Sequence, residues 1–321
     1  MTAVMWFRRD LRLGDNPALG SAAALDGVVA PLFVVDPALW KPASPVRQAY
    51  LVDSLRSLDA DLGGQLLLQH GDPVTHVLAV AQAAGATQVH AAADYGPYGM
   101  ARDEAVGVVL AAHGIEFVMT GSPYAVAPGR VTKDDGTAYR VYTPFYKAWL
   151  RHGWRAPAPD AAADYVMPLD CHGYPARPEL PFELPAAGES AALERWGAYR
   201  SSGLADYDET RNFPALDGTS AMGHHLKWGE IHPRTLLADL GDSDSEETYR
   251  KEIAWREFYA DVLNQHPRSA RASLDKRFDD DFAWESGAQA DRMFEAWAAG
   301  RTGYPFVDAG MRQLQIGRAH V

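Results

Sequence analysis

The chain has 321 residues, 47% of them hydrophobic and 22% charged, which provides for sizeable cores, excludes intrinsic disorder and predicts two domains. A net charge of -12 excludes a protein that coats DNA without regard to sequence, because that mode needs many cations against phosphates, although a local basic groove stays compatible with it. One cysteine, Cys171, and a start without the basic-then-apolar order of a signal peptide point to a reducing, cytoplasmic setting, and no apolar run nears the ~20 residues of a bilayer span.

Along the first 150 residues, short β-rich apolar runs alternate with helical stretches. Strands are expected at "AVMWF" (3–7), "VVAPLFVV" (28–35), "QLLLQ" (65–69), "QVHAAA" (88–93) and "IEFVMT" (115–120). Asn16 before Pro17 and Asp72 before Pro73 each read as a cap followed by proline at the first helical position. The pattern is that of a doubly wound parallel α/β sheet, in which ligands sit outside the carboxyl ends of the strands. The turn after the first strand, "RRDLRLGDN", has none of the glycines of a dinucleotide fingerprint, so NAD is not expected there. Its Arg8, Arg9 and Arg12 read as solvated or paired with Asp10 and Asp15.

From 155 to 188 come seven prolines among small and acidic residues. Such a stretch cannot continue helix or sheet and reads as an interdomain connection along the surface. Beyond it the pattern is helical throughout. The expected organisation is an α/β domain over 1–150, the connection over 151–189 and an all-α domain over 190–321.

Within the helical part, "DGTS" ends in hydroxyl residues, and Thr219 or Ser220 is placed to cap the helix "AMGHHLKWG". A helix start also holds a phosphate or pyrophosphate, so capping and ligand binding both account for these residues. His224, His225 and His232 fit no zinc spacing and are read as structural, with no metal expected. In "KEIAWREFYADVL", a helix of about 100° per residue gathers Glu252, Trp255, Arg256, Tyr259 and Leu263 on one arc, with Ala254, Phe258 and Val262 on the adjoining apolar arc. Charged groups beside flat rings suit a nucleobase or a flavin, which stacks on Trp and Tyr and hydrogen-bonds at its edges. The alternative is an ion pair between Glu252 and Arg256 flanked by core aromatics.

The runs "WFRRDLRLGDNPAL", "VYTPFYKAW", "YDETRNFP" with "GTS", "WREFY" and "TGYPFVDAGMRQL", in this order, resemble the DNA photolyase and cryptochrome family over 1–314. The likeness is strongest to bacterial class I photolyases of cyclobutane pyrimidine dimers. It implies a pigment-holding α/β domain and a helical domain with FAD beside a cavity for a flipped dimer. Tyr207, Thr219, Ser220, Ala221, Met222, Gly223 and Arg256 match flavin-binding positions. Arg211, Glu252, Trp255, Arg256 and Tyr259 match positions facing UV-damaged DNA, Glu252 as the acid that hydrogen-bonds the dimer and Trp255 as its stacking wall. Trp284 matches the surface member of a tryptophan chain that re-reduces the flavin. The implied protein is a monomeric lyase with no membrane partner; a cryptochrome-like photoreceptor without repair is the alternative.

Two departures stand out. Met222 and Gly223 replace a common Leu-Ser, removing one hydroxyl near the flavin phosphates, and Gly99 stands where folate-binding members carry Glu, which favours a deazaflavin antenna over a folate. The closing "IGRAHV" (316–321) also reads as an in-frame translation of a sequencing adapter. The expectation is a truncated reading frame whose α/β domain folds but which holds FAD poorly and repairs little.

Overall fold

The computed structural model describes residues 2–315; the closing run 316–321 lies outside the described residues. Strands β1 (Ala3–Phe7), β2 (Val28–Val35), β3 (Leu67–His70), β4 (Gln88–Ala91) and β5 (Glu116–Met119) form a parallel sheet in the order β3-β2-β1-β4-β5. Its order reverses at β1, which pairs with both β2 and β4. Period-two alternation sends Met5 and Phe7 to one face and Val4 and Trp6 to the other, and both faces are covered by helices. That is why β1 reads as a continuous apolar run.

The covering helices are α1 (Pro17–Ala23), α2 (Pro37–Trp40), α3 (Pro45–Asp61), α4 (Pro73–Ala83) and α5 (Pro97–Ala112). Each opens on proline, and the first four are capped by Asn16, Asp36, Ser44 and Asp72, whose side chains accept a backbone N–H. Strands 3–7 and 28–35 match their sequence reading; β3, β4 and β5 shift by one or two residues at their ends.

The proline-rich stretch corrects the expectation that it could not enter a sheet. β6 (Asp164–Tyr165) pairs in parallel with Val28 and Val29 of β2. It lies in a proline-free window between Pro159 and Pro168, and β3 pairs only with the later part of β2, from Leu32, leaving the first residues of that edge open.

The remaining helices are α6 (Tyr142–His152), α7 (Glu189–Ser202), α8 (Tyr207–Thr210), α9 (Gly223–Trp228), α10 (Pro233–Ala238), α11 (Asp244–Gln265), α12 (Arg277–Asp280), α13 (Ala288–Ala298) and α14 (Pro305–Gln315). Their main core packs Phe145 and Trp149 of α6, Trp196 of α7, and Ile253 and Phe258 of α11. Helix α11 is started by a full capping box, Ser243 with Glu246. Among the described residues no helix is long and apolar enough to cross a membrane.

The two halves meet at a buried carboxylate. Glu230, fully enclosed, accepts from Tyr50 Oη at 2.8 Å and Ser54 Oγ at 2.6 Å on α3, from Gly188 N at 2.8 Å, and from His225 Nδ1 at 2.5 Å.

Candidate functional site

Helix α11 carries the densest chemistry. Arg211 donates to Glu252 Oε1, and its guanidinium lies 5.4 Å from the centre of the Tyr207 ring. These two partly exposed side chains thus form an ion pair one helical turn before Trp255, whose indole is stacked on Tyr142 at 3.5 Å and 7°. The Tyr142 hydroxyl donates to Lys251 O at 2.8 Å, fixing that ring to the same helix. Tyr259, 63% exposed, stacks at 5.5 Å from Trp255. The structure therefore brings Tyr207, Arg211, Glu252, Trp255 and Tyr259 to one side of α11.

Arg256 departs from that group. The ion pair with Glu252 is not made; instead Nη1 donates to Pro123 O at 2.9 Å and Nη2 to Leu226 O at 3.2 Å, and the guanidinium lies 4.7 Å from the Tyr124 ring centre. Its donors are directed at the main chain of two neighbouring segments, because a buried guanidinium must find acceptors. Trp284 also stands apart, 66% exposed, with Nε1 donating to Phe278 O at 2.7 Å and its ring against Phe282.

Two acids on the inner face of α11 were missed by sequence reasoning. Glu257, 2% exposed, accepts from Ala125 N at 2.5 Å, Val126 N at 3.1 Å and Trp149 Nε1 at 2.6 Å. Asp261 accepts from Gly129 N at 2.6 Å. Together they fasten the segment after β5 to α11. Burial pushes the Glu257 carboxyl up to about 7 against the pull of its three donors. The available signal was positional: 257 and 261 fall in register with buried Ile253, Ala254 and Phe258.

The loop before α9 corrects the capping expectation. Ala221, at φ +48°, separates Ser220 from the helix, which begins at Gly223 after an N-cap Met222 without a side-chain cap. Ser220 Oγ pairs with Tyr249 Oη at 2.9 Å instead, while Thr219, Ala221 and Gly223 are exposed. The other end of α9 is held from outside. Its closing carbonyls accept from Arg256 at Leu226, from Arg9 Nε at Lys227 (3.5 Å), from Leu11 N at Trp228 (3.1 Å) and from Arg12 Nη1 at Gly229 (2.9 Å). Orphan carbonyls and the negative end of a helix call for such donors. The expected pairing with Asp10 and Asp15 holds only in part: buried Arg12 donates from Nη2 to Asp15 O at 2.6 Å and Arg8 N donates to Asp10 Oδ1 at 2.8 Å, whereas the Arg8 guanidinium reaches Asp103 and Ala92 O. A side chain at Gly229 (φ +69°) would strike Arg9 O at 2.0 Å, so this close approach needs glycine.

The histidines sit in packing roles. Burial, with His225 alongside, pushes His224 down to about 3, so it is neutral, and His232 Nδ1 accepts from Arg234 N at 3.1 Å. Among the described residues no His, Cys, Asp and Glu group could hold a metal ion.

A separate cavity of about 420 Å³ opens at the carboxyl ends of β1 and β2. Trp6, Phe33, Trp40 and Trp228 supply flat walls, and Arg9, Arg47 and Lys227 supply charge. Gly99 of α5 lies nearby, and a Cβ there would come within 2.2 Å of Asp94 Oδ2, a lining carboxylate held by Arg102 at 3.3 Å.

A parallel sheet with a cavity at its switch point, joined to a helical half with an aromatic and charged helix face, defines a two-domain α/β and all-α protein. Residues 3–163 match the DNA photolyase family model, and residues 249–319 match the FAD binding domain of DNA photolyase. The deoxyribodipyrimidine photo-lyase of Halobacterium salinarum is 35% identical over 97% of this chain and 71% of its own length. A bacterial class III photolyase from Agrobacterium tumefaciens, 32% identical, superposes with a TM-score of 0.84 over 98% of this chain and 68% of its own. An archaeal photolyase from Sulfolobus tokodaii, solved with two FAD molecules, does so at 0.79 with 26% identity, over 98% and 70%. The chain belongs to the DNA photolyase and cryptochrome family.

Proposed function

We propose that this chain serves light-dependent repair of cyclobutane pyrimidine dimers in DNA, acting as a monomer on a flipped lesion beside FAD. The observation that carries the reading is the placement of Arg211, Glu252 and Trp255 together on the outer side of α11, with Tyr207 behind Arg211. FAD, when bound, supplies the photoexcited electron; the protein contributes binding, orientation and electrostatics. The exposed Thr219, Ala221 and Gly223, with the uncapped start of α9, fit the expected phosphate side of that cofactor.

In this reading Arg211 and Glu252 hold each other until a lesion enters. Arg211 then turns to backbone phosphate, and Glu252 accepts a hydrogen bond from the exposed edge of a pyrimidine. Trp255, its plane fixed by Tyr142, is the stacking wall, and Tyr259 extends it. Extruding a damaged pair costs less than extruding an intact one, which favours lesions over normal DNA. Trp284 is assigned to electron supply from the surface, in keeping with its exposure. A light-harvesting chromophore is assigned to the cavity at β1 and β2, a deazaflavin rather than a folate, since Asp94 fills the space that a side chain at 99 would need.

The test is light-dependent loss of dimers from UV-irradiated DNA, joined to binding in the dark. Trp255→Ala removes a stacking surface worth about 1–3 kcal/mol per base, so affinity for irradiated oligonucleotide is expected to fall about tenfold to a hundredfold. Unchanged affinity would remove Trp255 from the site, and dimer binding without photoreversal would favour a photoreceptor.

A further inference from the structure

We propose that residues 170–173 form a proton-operated clasp over the open edge of β3. His172 holds them to that strand while its ring is neutral, and protonation of His172, crowded by His70 and His76, releases them. The clasp stands apart from the repair reading and governs how the connection between the two halves is fastened.

The sheet order leaves β3 at one end, and among the described residues no strand pairs with its outer edge. An edge of free N–H and C=O groups attracts other chains unless something covers it. Here the cover is the connection. Gln69 Nε2 donates to Asp170 O at 2.9 Å, His172 N donates to Leu68 O at 2.9 Å, and the Cys171 thiol faces Leu66 O at 3.9 Å. The next bond along the edge is different in kind. His70 N donates at 3.1 Å to Nδ1 of His172 where a neighbouring strand would offer a carbonyl, and the His70 ring donates from Nε2 to Gly173 O at 2.9 Å. A carbonyl accepts at every pH, whereas an imidazole nitrogen accepts only while it carries no proton. Imidazolium has an N–H at both positions, so a protonated His172 sets one donor against another.

The surroundings turn protonation against the docked state. The His172 ring lies edge-on to His70 at 5.9 Å and to His76 of α4 at 5.6 Å between centres, so a charge on one ring opposes a charge on the next. Gly71 lets His76 come this close: a Cβ there would lie 2.5 Å from His76 Nε2. Burial, then His172, hold the His76 imidazole below its ordinary range, while Asp72 and the His70 main chain pull the other way. A ring shifted in that direction contributes its stability above about pH 6.5 and loses it as pH falls further. Among the described residues no carboxylate forms an ion pair with His70, His76 or His172. The charges nearby are engaged elsewhere: Asp72 Oδ2 accepts from Thr75 N and Oγ1, Tyr174 donates to Asp59, and Arg177 Nε pairs with Asp53 at 2.8 Å. The bonds of Tyr174 and Arg177 involve no imidazole, so the opening is confined to 170–173.

Hydrogen exchange of the full chain, resolved by residue and corrected for the intrinsic effect of pH on exchange, is compared between about pH 8 and about pH 5. The His70 and His172 amides are expected to lose about tenfold of their protection on acidification, as for one hydrogen bond, while the amides of β1 keep theirs. His172→Asn offers an acceptor oxygen that does not titrate, so it should hold both regions at either pH. His172→Ala should leave the His70 amide unprotected at both. Equal protection at the two pH values in the parent, a release that persists in His172→Asn, or loss of the β1 amides together with the other two would each overturn the proposal.

Discussion

At the scale of single residues, the side chains on α11 divide by direction. Glu252 and Trp255 face outward with Arg211 and Tyr142, whereas Arg256 and Glu257 turn toward the main chain of neighbouring segments. Sequence periodicity placed Glu252, Trp255, Arg256 and Tyr259 on one arc but could not say that a long guanidinium would bend away to Pro123 and Leu226. Glu257 escaped notice because an acid is ordinarily read as solvated, and only its three N–H donors, which come from distant parts of the chain, make its burial tolerable. Its carboxyl is raised from 4.5 to about 7, so the folded state holds a proton that the unfolded state has lost. The stabilising contribution is therefore complete below pH 4.5 and lost as pH rises through about 7. Glu257→Gln should remove the Glu257 part of the pH dependence over that window, read as the difference from the parent in urea titrations, and lower stability by about 1–3 kcal/mol, since an amide cannot accept all three bonds. A difference between parent and variant that stays constant with pH across that window would contradict the assignment.

Among the elements, those whose signals are local were legible. Strands β1 and β2 are continuous apolar runs, and helices α1 and α4 announce themselves by a cap and a proline. What depended on distant partners was not: β6 owes its existence to an open stretch of β2, and the start of α9 was displaced by Ala221 and the bond between Ser220 and Tyr249. The longest helix, α11, positions Glu252 and Trp255, and its first turn hangs on the Ser243 and Glu246 box. Ser243→Ala should cost about 1 kcal/mol and lower the thermal midpoint by about 2–4 °C, read by circular dichroism. Fraying at that end should leave Ser220 in place, because Tyr249 lies in the buried part of the helix.

For the molecule as a whole, the two halves are joined by polar clasps rather than by apolar surface alone. Asp15 binds Arg234 at 2.5 Å and Ala158 N at 2.7 Å, and Glu230 gathers donors from α3, the connection and α9. Glu230→Leu strands four polar groups in a dry interface and should destabilise the chain by about 3–5 kcal/mol, seen as a lower urea midpoint and faster protease cleavage between 155 and 188. Retention of the parent midpoint would mean that water replaces the lost acceptor.

The mooring of α9 has one further result. Three of the four carbonyls that close it are gripped by the stretch following β1, so the loop opposite, where FAD is expected, takes its bearings from the sheet. A helical half expressed by itself would lose that anchorage, and mixing separately made halves should restore cofactor uptake only when the first of them carries Arg9, Leu11 and Arg12.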